Sequence, residues 1–105
     1  MTQGVDFNLI ENNLNYILGE MRAQPEVSQY YPMDGISYFD HLSQMGEFID
    51  EAGEYGLAYE CMVGALEIFP FKLTGLAAIK LLEVGLLMGF KSDQEVDRLF
   101  DRRLI

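Results

Sequence analysis

Between Arg22 and Lys72 the chain contains no lysine and no arginine. Over that stretch it places Glu26, Asp34, Asp40, Glu47, Asp50, Glu51, Glu54, Glu60 and Glu67, which together carry nine of its ten net negative charges. The remaining acids and bases nearly cancel, so the charge is lopsided as well as negative. Phosphates would meet like charge here, where a nucleic-acid binder needs Lys and Arg to release counterions, so direct nucleic-acid binding is not expected. A one-signed field instead attracts and orients a cationic partner, or serves simply as a solvated acidic face.

Other scarcities narrow the chemistry. One cysteine allows no internal disulfide, and Cys61 lies in an apolar helical pattern that predicts a small buried thiol. A single histidine, no Cys or His pair at ligand spacing and no Gly-rich phosphate loop give no basis for a metal centre or a cofactor cradle. His41 follows Asp40 directly, and consecutive helical residues point about 100° apart, so the pair is badly set for a general base and reads as an exposed histidine among carboxylates. Asp50 and Glu54 lack the alternating oxygen ligands of a calcium loop. No catalytic residue, cofactor or metal is expected, and the chain does not read as an enzyme. Asp6, Glu11 and Glu20 interrupt the first twenty residues, which predicts no signal peptide and a cytoplasmic protein. The most apolar stretch, Leu73 to Phe90, has Lys80 and Glu83 at its middle, each opposing membrane insertion by roughly 2.5 to 3.5 kcal/mol. Those two residues, three apart, are expected to pair on a narrow polar strip of the central helix of a soluble domain.

What is present is enough for a core. The chain has 105 residues, half of them hydrophobic and 12% aromatic, which suits one domain spanning 1–105 and is too apolar for disorder. Phe7, Ile10, Leu14, Ile17, Leu18 and Met21 recur at helical spacing behind Asp6, predicting a capped helix over about 6–23. Prolines and an Asp-Gly pair then mark a loop. A second helix over about 36–52 shows Tyr38, Leu42, Met45, Ile49 and Ala52 on one side, widened by Phe39 and Phe48, and Asp40, Gln44, Glu47 and Glu51 on the other. Gly53 closes it in the left-handed conformation, and Glu54 opens the next helix, over about 54–69, with an outer strip of Gly56, Glu60, Gly64 and Glu67. A fourth helix follows over about 74–88, ending at Gly89. Ser92 with Glu95 predicts a capping box for a fifth, over about 93–103. No period-2 run of β-branched residues occurs, so the fold class is all-α: a compact bundle of about five short helices.

Two features suggest a docking surface. The loop Tyr30-Tyr31-Pro32-Met33-Asp34 offers adjacent tyrosines, a residue type enriched among interface anchors, although one or both are equally suited to lid the bundle. Just beyond it the second helix shows its acidic side. The candidate binding residues are Tyr30, Tyr31, Asp34, Asp40, Glu47, Asp50, Glu51 and Glu54.

The segment FIDEAGEYGLAYECMVGAL, from Phe48 to Leu66, followed by an apolar helix ending in Met-Gly-Phe, resembles the small immunity proteins of bacterial toxin systems, in particular the Maf-type and contact-dependent growth inhibition immunity families. The resemblance is densest at Gly53-Glu54-Tyr55-Gly56-Leu57-Ala58 with Glu60 and extends over Phe48 to Phe90. The chain departs from the pattern in its longer N-terminal part and carries no motif that transfers as a contact residue. The resemblance implies a role: binding and neutralising the folded, basic C-terminal domain of a cognate secreted toxin, a nuclease such as an RNase, whose phosphate-binding surface carboxylates would cover. Two alternatives stay open. One is an acidic helical adaptor or secretion chaperone holding a basic effector segment; the other is a small carboxylate hydrolase or transferase.

Overall fold

The computed structural model describes residues 6–89. Its order is α1 (Phe7–Arg22), a 3₁₀ helix (Pro25–Tyr30), α2 (Tyr38–Asp50), α3 (Tyr55–Ile68) and α4 (Gly75–Leu87). Among the described residues there is no strand, and the all-α bundle is as expected. The expected helix over 93–103 lies outside the described residues. The prolines did not leave a bare loop: Pro25, with its fixed φ and missing donor, opens the 3₁₀ turn at a position that needs neither.

Each α-helix starts where a side chain satisfies an orphan amide, or where the turn before it dictates the direction. Asp6 accepts from the Leu9 amide at 3.0 Å, Ser37 from Asp40 at 3.0 Å and Thr74 from Ala77 at 3.2 Å. Gly53, with φ +62°, reverses the chain between α2 and α3, and Gly89, with φ +79°, ends α4. Glu54 is the residue before α3 and not part of its first turn, and its side chain caps nothing.

The helix at the centre is α1. Its Ile10, Leu14, Ile17, Leu18 and Met21 are all buried, and it packs on α2, α3 and α4. At roughly 1.5 to 3 kcal/mol for each large apolar side chain, this one stripe is a main source of stability. The central place expected for the Leu73–Phe90 helix is therefore corrected: α4 lies on the flank, with α1 as its chief neighbour. Ala77, Leu81 and Val84 face α1, whereas Leu76, Ile79, Leu86 and Leu87 are exposed. An all-round apolar sequence reports how much can be buried, and says little about which face meets protein. The expected polar strip is also different. Lys80 and Glu83 turn to α1 instead of to each other: the ammonium lies 5.2 Å from the centre of the Tyr16 ring, and Glu83 accepts at 2.7 Å from the buried amide of Asn13.

Candidate functional site

Tyr31 decides the shape of the segment that precedes α2. It is buried, its ring stacked on Phe69 with centroids 3.8 Å apart and edge-on to Tyr38 and His41. Its hydroxyl and Nδ1 of His41 share a hydrogen bond at 2.8 Å, in which the imidazole tautomer sets which group donates. Tyr38, on the adjoining turn, is buried as well and donates to the Met21 carbonyl at 2.8 Å, closing the end of α1. Burial, with Tyr38 close by, pushes the Tyr31 hydroxyl up to about 12. Burial also holds His41 below its usual pKa of 6.5.

Two expectations are corrected by this cluster. His41 is half-buried and engaged, not an exposed histidine among carboxylates, because the Tyr31 ring and hydroxyl cover one of its sides. Of the tyrosine pair, Tyr31 takes the lid position and is not accessible, while Tyr30 stands out at 58% exposure. Adjacent residues in an irregular segment point to different sides, so burying one displays the other.

With Tyr31 fixed, the segment it belongs to presents a run of apolar side chains. Met33 and Ile36 are exposed, and so is Phe39 at 65%. Phe39 is expected to widen the buried side of its helix; in the first turn of α2 it is instead 65% exposed and packs edge-on to Tyr38 at 4.9 Å. Tyr30, Met33, Ile36 and Phe39 thus crowd a short stretch with large hydrophobic groups in water, the arrangement that marks interaction sites. The Pro32–Gly35 turn, closed by the Gly35 amide bonding the Pro32 carbonyl, carries Asp34 between them.

The carboxylates occupy three places. Asp40, Glu47 and Glu51 are exposed and, with exposed Gln44, form one stripe along α2, as their spacing predicts. Asp34 is exposed on the turn before it. Asp50 faces α1, accepting from the Asn15 amide at 3.3 Å, near the Tyr55 hydroxyl that donates to Glu11 at 2.8 Å. Glu54 is exposed in the α2–α3 connection; α2 ends at Asp50, so Asp50 and Glu54 are not helical neighbours. The stripe starts at Asp40 beside the apolar segment and runs through Glu47 to Glu51 at the far end of α2, where Asp50 and Glu54 also lie. Met33, Ile36 and Phe39 were missed in the sequence, although three large apolar residues next to a proline-bounded turn were the available signal.

Elsewhere, polar groups are used structurally. In an open cleft lined by Glu20, Ala23, Gln24, Lys72, Leu73 and Thr74, the side chains of Glu20, Gln24 and Thr74 are bonded to one another or to backbone. Glu20 accepts from the Thr74 amide and hydroxyl, at 3.0 and 2.5 Å, and Gln24 exchanges two bonds with the backbone of Lys72, at 2.7 and 2.8 Å. Cys61 is half-buried, not buried, and burial raises its thiol pKa, which disfavours the reactive thiolate. Among the described residues no three of His, Cys, Asp and Glu converge as metal ligands. No described helix is long and apolar enough to cross a membrane. Comparison with family models, with curated proteins and with solved structures finds no match for the chain.

Proposed function

We propose that this chain is an antidote: an immunity protein that binds a folded, basic partner, the C-terminal domain of a cognate secreted toxin, and neutralises it by occupying the surface that would hold nucleic-acid phosphates. It acts by binding and carries out no catalysis of its own. One observation carries the reading: four exposed apolar side chains, Tyr30, Met33, Ile36 and Phe39, stand on or next to a segment pinned by Tyr31, with exposed Asp34 and Asp40 among them and exposed Glu47 and Glu51 farther along α2. Apolar anchors at the centre of a contact slow dissociation, whereas charges around them accelerate encounter and fix orientation. The pinned segment adds preorganisation, since little side-chain and loop freedom is left to lose on docking.

Mixing with the C-terminal domain encoded beside this chain tests the reading. A one-to-one complex is expected, with an association rate that rises from a neutral 10⁵ to 10⁶ M⁻¹s⁻¹ toward about 10⁸ M⁻¹s⁻¹ at low salt. Reversing Asp40, Glu47 and Glu51 to Lys is expected to slow association and flatten its salt dependence, and truncating Tyr30 and Phe39 to Ala to speed dissociation. Absence of a complex at low salt rules the reading out.

A further inference from the structure

The methionines of this chain divide by access. Met21, Met45 and Met62 are completely buried in the core, and Met88 is half-buried against it. Met33 is fully exposed, on the turn that the Gly35 amide closes onto the Pro32 carbonyl. Oxidation of a thioether follows access to the sulfur, and a buried one waits on opening of the fold. Among the described residues, Met33 is therefore the methionine that a small oxidant in water reaches first. Its place matters as much as its access. A side chain held clear of the protein adds little packing, so a change there leaves the bundle intact. The same side chain belongs to the exposed run Tyr30, Met33, Ile36 and Phe39, where a change of polarity alters the surface that a partner meets.

We propose that Met33 is a site of reversible oxidation by hydrogen peroxide, and that its sulfoxide weakens docking of the basic partner domain on the apolar run. The sulfur lone pair attacks one peroxide oxygen, an S–O bond forms and the O–O bond breaks. The transferred oxygen gives its proton to the departing hydroxide, which leaves as water; the sulfur has lost two electrons and the peroxide has gained them. A methionine sulfoxide reductase reverses the step, with the oxygen leaving as water and a pair of thiols oxidised to a disulfide. The product is polar and chiral where the thioether was flexible and apolar, and burying its oxygen against a partner with no hydrogen-bond donor opposite is costly. The effect on docking rests on the proposed function, whereas the oxidation site rests on the fold alone.

Limited treatment of the full chain with hydrogen peroxide, followed by peptide mapping, tests the site. The peptide carrying Met33 is expected to gain one oxygen at least about tenfold faster than those carrying Met21, Met45, Met62 or Met88, with helical circular dichroism and the denaturant midpoint unchanged. The reductase is expected to return that peptide to its starting mass. Met33→Leu keeps the apolar bulk without the sulfur and separates Met33 from every other methionine. The oxidised natural chain is expected to leave a hydrophobic-interaction column earlier and to dissociate from the basic partner domain about tenfold faster. With Met33→Leu the same treatment is expected to move neither. Equal oxidation of the buried methionines overturns the inference, as does a fold lost while Met33 oxidises. A natural chain and Met33→Leu that respond alike, or a complex that dissociates at one rate before and after oxidation, overturn it too. No complex before oxidation instead rules out the proposed function, and the map and the column still decide the site.

Discussion

Asn13 shows how single residues set the tolerances of this bundle. It is buried between α1 and α4, its amide donating to the Lys80 carbonyl at 3.3 Å and to Glu83, while its own oxygen has no partner. Asn13→Asp replaces the donor by a carboxylate facing a carboxylate. A buried, uncompensated charge of this kind is expected to cost about 3 kcal/mol at neutral pH, with part of the loss recovered on mild acidification as the new group takes up a proton. Urea melts at neutral and mildly acid pH check both halves, and an unchanged midpoint at neutral pH contradicts the packing described. His41 gives a second residue-level expectation. Its folded pKa is held below 6.5, so the unfolded chain binds a proton that the folded chain does not. The stability contributed by neutral His41 is present above 6.5 and is lost as the pH falls through the folded value. Denaturant midpoints should decline across that window, and in His41→Gln this part of the decline should vanish, even though loss of the Tyr31 bond makes the variant less stable overall.

At the scale of elements, α2 separates stability from binding. Glu47 and Glu51 are like charges four residues apart, and Glu51 ends the helix, where the dipole favours a cation. Glu51→Lys removes the repulsion, creates a favourable pair with Glu47 and complements the dipole. It is expected to raise stability by about 0.5 to 1 kcal/mol in thermal or chemical melts. The same change should slow association with a basic partner, so a variant that is both more stable and equally fast in binding argues against steering by this helix. The helices themselves were legible: apolar spacing and the Asp6, Gly53 and Gly89 signals placed α1 to α4 within two residues at each end. The acidic stripe was legible too, since Asp40, Glu47 and Glu51 share a face whatever α2 packs on. What was not legible came from tertiary choices. Periodicity does not say that α1, not the more apolar α4, takes the centre, nor which of two neighbouring tyrosines turns inward. Phe39 sits on a helix yet is exposed, and local pattern does not say which edge of an apolar side its neighbours cover.

For the whole molecule, the arrangement puts three kinds of surface on one small body. An aromatic cluster of Tyr31, Tyr38, His41, Phe69 and Phe71 joins the segment before α2 to the α3–α4 connection and fixes the apolar run at one end of α2. The carboxylate stripe runs from that end along α2. The exposed Leu76, Ile79, Leu86 and Leu87 of α4 form the third. Loosening the cluster should blur the first surface without unfolding the bundle: Phe69→Ala is expected to destabilise the fold, by up to about 3 kcal/mol for a half-buried aromatic, and to raise amide exchange selectively over residues 25–37. Uniform exchange over all helices would mean that the segment is not held by this stack. The most direct test is the dissociation rate from the proposed basic partner domain, compared between the natural chain and Phe39→Ala. The Phe39→Ala protein is expected to be stable, since the ring is largely exposed, and to leave the partner at least about tenfold faster. An unchanged rate, or no complex to dissociate, contradicts it.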